Sequence, residues 1–332
     1  MPIRLRRLLA MTTGLLLAVP ASELALRVWN SGKPIQQMIW GAVVHQLDPE
    51  LGYWLKPSST ARGIHVNSLG MRGPEIEVKR PCGTLRILCL GDSITWGEAV
   101  ADDAETYPAV LERQLRAIPG LETVQVLNGG IMGYASWQCR ERAEELLPLL
   151  HPDLVLLCLG WNDLTLARTI GWHPRLSYVT PIDAWQLGCG QSFLADFLRR
   201  HVFHGNRQPD PRALDFYRTE VKALVALVRA HGAQTAFLDL PTVFAPELEA
   251  GALAKAARSG YSPAGVSSFL EYRNCWVRIA AELHVPVLAT GLEYEAPAKV
   301  RFLADICHPD PDGNHYMCGL LAPQIHRLLS LH

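Results

Sequence analysis

No two of the eight cysteines in this 332-residue chain stand at C-x-x-C spacing, which excludes a zinc ribbon built on such pairs. Cys89 and Cys158 fall inside apolar runs and read as small buried hydrophobes. An excess of charge of one sign is also missing. With 31 basic and 32 acidic residues the formal net charge is -1, so nothing points to the clustered Lys and Arg that bind phosphate backbones, and no nucleic-acid partner is expected. The sequence has no G-x-G-x-x-G after a strand and no H-E-x-x-H. Neither a cofactor nor a metal is therefore expected. There is no internal repeat and no low-complexity tract.

What is present is apolar weight: 49% of the residues are hydrophobic, enough to bury one large α/β core or two modest ones. The amino terminus, MPIRLRRLLAMTTGLLLAVPASELALRV, places Arg4, Arg6 and Arg7 before an uncharged run from Leu8 to Ser22 that Glu23 ends. This is a targeting pattern. The run falls short of the roughly 20 residues that span a bilayer, while Val19 and Ala21 satisfy a small-residue cleavage rule. Residues 1–22 thus read as either a signal peptide or a short membrane anchor, with a buried helix as the plain alternative. Both export readings put the rest of the chain outside the cytoplasm, periplasmic or secreted, and the anchored one adds a membrane tether through residues 8–22.

Residues 23–82 lack a sustained apolar period and carry turn-forming pieces such as LDPELGYWLKPSS and NSLGMRGPE. They read as an irregular extension lying against a main domain at 83–332. From Leu85 onward five short apolar runs recur, LRILCLG (85–91), VQVLN (124–128), DLVLLCLG (153–160), TAFLDLP (235–241) and VPVLAT (285–290), with helical patterns between them. Continuous apolar runs separated by helices predict a three-layer α/β/α sandwich with a five-stranded parallel sheet, flavodoxin-like in its winding. In one intervening helix Phe269, Tyr272, Trp276, Ile279 and Ala280 fall three or four apart and predict an inward stripe. Two long connections, 164–210 and 242–264, suit lids or binding loops at the carboxyl edge of the sheet, where ligands of open α/β folds sit.

The first run ends in Gly91-Asp92-Ser93. A strand that stops at Gly91 and turns into a helix sets Ser93 at the carboxyl edge, where a backbone N–H and the helix dipole favour negative charge. Taken alone, the same serine also reads as a helix cap. A serine nucleophile needs a base. Of the twelve histidines, His308 stands out in DICHPDPDGNH, because Asp305 three residues earlier can hold one ring nitrogen and leave the other to take a proton. His308 follows the fifth run and so belongs on the same edge as Ser93. Oxyanion donors are offered by LNGGIMGY and LGWND, which end the second and third runs: the Gly133 backbone N–H and the Asn162 side-chain amide. Glycines there also serve turns, and Asn-Asp pairs also cap helices. Four separate strand ends converge on one set of chemical parts.

The blocks Gly91-Asp92-Ser93, Asn128 through Gly133, Gly160-x-Asn162-Asp163 and Asp305-x-x-His308 resemble those of the SGNH/GDSL hydrolase family, over about residues 84–332. Ile94 stands where the family name has leucine, a volume-conserving change. The resemblance implies Ser93 as nucleophile, His308 as general base and then acid, and Asp305 as its orienting partner. It likewise implies an oxyanion hole from the Ser93 N–H, the Gly133 N–H and the Asn162 amide. The implied activity is that of a serine esterase or lipase acting on carboxylic O-acyl esters, acetyl esters included. An O-acetyltransferase on a cell-surface glycan, a thioesterase or lysophospholipase, and a catalytically silent surface binding module stay open beside it. The substrate class is a small-molecule, lipid or acylated-glycan ester. Trp96 and Trp161 are candidate substrate-binding residues, with core packing as the alternative for each. Asp163 reads as fixing the Asn162 loop, His315 as a surface or capping residue and Cys307 as a packing residue. The aromatic loop with Trp172, Tyr178, Trp185 and Phe193 either grips substrate or anchors itself.

Overall fold

The computed structural model describes residues 3–29, 44–48, 50–61, 63–169, 172–175, 194, 208–246, 250–258, 263–296 and 299–330. Two compact units partition the chain: residues 1–42 with 179–205, and residues 43–178 with 206–332. In the first unit helix α1 (Ile3–Trp29) takes Pro20 into its interior and runs past Glu23, so the expected end of the leader at Ser22 is not an end of the helix. The Glu23 carboxylate accepts from the Leu194 N–H at 2.9 Å. Among the described residues no helix is long and apolar enough to cross a membrane.

The second unit opens with two antiparallel hairpins, β1 (His45–Asp48) with β2 (Gly52–Leu55), and β3 (Ser59–Ala61) with β4 (Ile64–Val66). Its main sheet follows. Strands β5 (Arg86–Gly91), β6 (Gln125–Asn128), β7 (Leu154–Cys158), β8 (Gln234–Leu238) and β9 (Val287–Leu288) lie in the order β6-β5-β7-β8-β9, every pair parallel. This is the flavodoxin-like winding, with the second strand of the sheet at one edge and the first inside it. Ile87 through Leu90 and the whole of β7 are fully buried, as strands without a polar face require.

Helices supply the cover. A short helix, α2 (Ser93–Trp96), follows β5 at once, and α3 (Tyr107–Arg116) packs on β6. Helix α4 (Ser136–Leu150) packs on β5 and on α6 (Pro211–Ala230), and α6 packs on β8. Helix α5 (Trp161–Ala167) follows β7, and α7 (Ala250–Arg258) occupies part of the second long connection. Helix α8 (Pro263–Leu283) lies against α6, and α9 (Pro311–Leu329) against α3. The inward stripe of α8 is buried at all five expected positions, and the Trp276 ring stacks on Phe237 at 3.8 Å. Truncating such a ring to alanine costs about 3–5 kcal/mol.

Residues 43–82 differ from the expected irregular extension. Besides the hairpins they bury Tyr53, Leu55 and Met71 in the same core as the sheet. Three buried arginines tie this segment to the sheet domain. Arg86 donates to the carbonyls of Glu77 and Val78, and Arg142 to those of Leu69 and Gly70. Arg72 reaches the other way, to the carbonyls of Trp96, Gly97 and Val100 at 3.0, 2.9 and 3.0 Å and to the Asp103 carboxylate at 2.7 Å. A buried carbonyl left without such a donor costs about 1–3 kcal/mol, so these side chains do for the loops what a ladder does for strands.

Candidate active site

The turn from β5 into α2 exposes Ser93. The Asp92 side chain caps the helix by accepting from the Ile94 N–H at 3.0 Å, and burial pushes its carboxyl up to about 6. Helix α2 ends after one turn at Gly97, whose N–H donates to the Ser93 carbonyl. A helix this short leaves Ser93 half-buried at the sheet's carboxyl edge.

Across from it lies a tight turn before α9. The Asp305 Oδ1 accepts from the N–H groups of Cys307 and His308, both at 3.0 Å, and the Ala304 N–H donates to the His308 carbonyl at 2.8 Å. With its backbone so held, His308 places Nδ1 2.7 Å from Asp305 Oδ2 and Nε2 2.7 Å from Ser93 Oγ. Asp305 on Nδ1 selects the tautomer that leaves Nε2 bare to accept the serine proton. The three residues that the sequence singled out for a hydroxyl, an imidazole and a carboxylate therefore meet in one hydrogen-bonded line.

Electrostatics follow from that line. Burial works against the imidazolium of His308, but Cys307 and Asp305 outweigh it and hold the ring well above its ordinary value. Burial also pushes the Cys307 thiol up to about 11; being neutral there, it leaves the Asp305 carboxylate as the charge that favours imidazolium. Asp305 itself is desolvated, yet hydrogen bonding and charge from His308, with the two backbone donors, bring it down to about 2. The side chains of Asp305, Cys307 and His308 also offer three metal-ligand atoms within 4.8 Å of one another. Here the thiol is protonated and Nδ1 is taken by the carboxylate, so the donor set is spent internally.

Gly133 lies in the 129–135 loop after β6 at φ 75°, in the left-handed region that glycine enters without a steric cost. The Gly130 N–H donates to Asn128 Oδ1 and the Ile131 N–H to the Gly91 carbonyl, both at 3.1 Å, which binds this loop to the end of β5. Among the described residues no acceptor takes the Gly133 N–H. Asn162, in the first turn of α5, is buried and gives one Nδ2 proton to the Tyr134 carbonyl at 3.0 Å. Its amide keeps a second proton. Asp163 accepts from the Ser136 N–H at 3.0 Å and from its hydroxyl at 2.5 Å, joining the Asn162 loop to the start of α4. Burial raises the Asp163 carboxyl to about 7 against those two donors.

The tryptophans require a correction. Trp96 is 2% exposed, with the Arg72 guanidinium 5.0 Å from its ring centroid, and Trp161 is 4% exposed, stacked on Phe269 at 4.6 Å with its N–H on the Pro241 carbonyl. Both serve the core rather than a substrate pocket, because each sits between a strand end and a packed element that accepts its ring. Trp172 is likewise buried, beside Phe216; Tyr178, Trp185 and Phe193 lie outside the described residues. His315 pairs with Glu105 at 2.7 Å. Two residues that support the site were missed by sequence reasoning. Tyr53 donates to the Met132 carbonyl beside Gly133, and Arg72 clamps the end of α2; both come from the turn-rich segment, which carries no periodic signal.

A parallel sheet that gathers a hydroxyl, an imidazole and a carboxylate at its carboxyl edge fits a hydrolase, and the family match makes the class an ester-hydrolysing one. The chain belongs to the GDSL-like Lipase/Acylhydrolase family, whose model matches residues 89–316. Solved structures with a similar fold include the lipase/acylhydrolase from Enterococcus faecalis, at 19% identity and TM-score 0.48 over 73% of this chain and 95% of that one. Others are a psychrotrophic esterase from Pseudoalteromonas sp. (17%, TM-score 0.46, 74% and 98%) and an acetylxylan esterase from Geobacillus stearothermophilus (17%, TM-score 0.46, 73% and 94%). Among curated proteins none matches.

Proposed function

We propose that the protein cleaves carboxylic O-acyl esters, acetyl esters among them, through an acyl-enzyme on Ser93. The single observation behind this reading is the unbroken line Ser93 Oγ, His308 Nε2, His308 Nδ1, Asp305 Oδ2, with 2.7 Å at each hydrogen bond. In the first half-reaction Ser93 attacks the ester carbonyl carbon while Nε2 takes its proton, and the imidazolium returns that proton to the departing alcohol oxygen. Water, deprotonated by the same nitrogen, then attacks the acyl-serine, and the serine leaves with the proton restored. The tetrahedral oxyanion formed in each half is held by the N–H groups of Ser93 and Gly133 and by the free Asn162 amide proton. Asp305 keeps its charge throughout and steadies the imidazolium.

In this reading the reaction runs outside the cytoplasm. Support comes from the Arg4, Arg6 and Arg7 cluster ahead of the uncharged run from Leu8 to Ser22, a pattern of export signals and short anchors. The substrate is then an extracytoplasmic ester. Ser93→Ala is the direct test: turnover of p-nitrophenyl acetate should fall by at least about 10⁴-fold, with loss of fluorophosphonate labelling. Wild-type turnover by that variant refutes the assignment. A series of acyl-chain lengths and acetylated glycans, assayed with the native enzyme, ranks acetyl against longer esters.

A further inference from the structure

One of the proposed oxyanion donors sits on a peptide whose opposite end is held. The Gly133 N–H and the Met132 carbonyl belong to a single planar trans peptide, so fixing the direction of one fixes the other. The Met132 carbonyl accepts from the Tyr53 hydroxyl at 2.5 Å, and Tyr53 is wholly buried. Without that bond the peptide has a cheap escape, because Gly133 is free to rotate between positive and negative φ. The anchor is itself braced. The Tyr134 hydroxyl donates to the Tyr53 carbonyl at 2.7 Å, and the two rings meet edge to face at 5.3 Å. The Tyr134 carbonyl in turn receives the Asn162 amide at 3.0 Å. A run of hydrogen bonds thus leads from β2 through the loop that carries Gly133 to Asn162 in α5.

We propose that Tyr53 is a positioning residue of the oxyanion hole. Its hydroxyl pins the Met132–Gly133 peptide with the N–H turned to the reacting carbonyl oxygen and, by polarising the amide, strengthens that N–H as a donor. The proposal rests on the reading of Ser93 as nucleophile. It assigns a role in the reaction to a hairpin that lies 79 residues away in sequence from the peptide it holds.

Tyr53→Phe in the full chain removes one oxygen and keeps the ring. Active sites are counted with a fluorophosphonate, folding is followed by the urea midpoint, and rates are expressed per labelled site. Weakening rather than deleting one donor predicts a fall in kcat on p-nitrophenyl acetate of about tenfold. KM should stay within about twofold and the acid limb of the pH profile should not move, because binding and base are untouched. Fluorophosphonate labelling, which builds a comparable oxyanion, should slow by a similar factor. An unchanged kcat per site overturns the proposal, and so does a loss confined to the number of labelled sites, the signature of a merely structural role. Ser93→Ala in the same assay separates the two claims. If it still turns over, the nucleophile assignment falls; if it is inactive beside an unaffected Tyr53→Phe, only the positioning role falls.

Discussion

Gly130 lies where the loop after β6 meets the backbone of α2, and adding one methyl there tests whether the rim is rigid. A Cβ at this position would stand 2.4 Å from the Trp96 nitrogen and 2.6 Å from the Thr95 carbonyl carbon. Ordinary contact begins at 3.4 Å, so Gly130→Ala must part the loop from α2 by about 1 Å, the difference between 3.4 and 2.4. Neither neighbour is the yielding tip of a side chain. Both are main chain of the helix that carries Ser93, and Arg72 holds the end of that helix and the turn beyond it by three carbonyls. Overpacking of this kind costs about 1–3 kcal/mol of stability. A shift of about 1 Å between nucleophile and donors costs roughly 10²-fold in rate, which is about 2.7 kcal/mol of barrier. The measurement is kcat/KM on p-nitrophenyl acetate beside urea denaturation at the same temperature. Both quantities should fall. A variant as active as the wild type would show that loop and helix slide past each other, and the claim that this contact sets the geometry would be wrong.

The remaining predictions concern the base and the amide donor. Because His308 titrates above its ordinary value, kcat/KM should rise with pH along an acid limb whose midpoint lies above 6.5; a midpoint at or below 6.5 contradicts the assigned partner. Asp305→Asn removes the charge that favours imidazolium, so the limb should move to lower pH while the maximum rate drops. The same linkage acts on folding: the raised His308 contributes stability that is full below pH 6.5 and is lost as pH rises through its folded value. The depressed Asp305 contributes stability present above pH 3.8 and lost as pH falls through about 2. Asn162→Ala should lower kcat by roughly 10²–10³-fold through the lost donor. It also leaves the buried Tyr134 carbonyl unpaired, at about 1–3 kcal/mol of stability, so rates belong beside a denaturation curve. A kcat loss under about threefold removes Asn162 from the hole, since a true donor is worth far more.

The sheet was legible because its signal is local. Each of the five apolar runs became a strand within a few residues of its expected place, and the α8 stripe faced inward as spaced. The last run fell furthest short, with a strand of only Val287–Leu288, as befits an edge strand whose Val287 side chain faces solvent. Ser93, His308 and Asp305 were legible for a related reason: Asp305 and His308 are three residues apart, and strand ends bring the rest to one rim. The hairpins were not. Their strands are three or four residues long, too short for a period to emerge. Tyr53 and Arg72 act on partners 79 and 24 residues away, and an arginine inside NSLGMRGPE reads as a solvated turn until the carbonyls that surround it are known. Trp96 and Trp161 show the same limit. An aromatic ring after a strand end faces core or cleft, and for Trp161 the choice is made by Phe244 and Phe269, roughly a hundred positions downstream.

The arginine fastenings bear on where this enzyme can be cut. A protein trimmed to start at residue 83 would retain every proposed chemical group, from the serine to the amide of Asn162, and would look complete by motif. It would also carry Arg86 and Arg142 into the interior with their loop acceptors gone, and leave the Met132 carbonyl facing a void where a phenol had been. Guanidinium groups stranded in that way draw in water or splay the elements around them. The extent of this catalyst is therefore set by who satisfies whose polar atoms, and it reaches back at least to Tyr53.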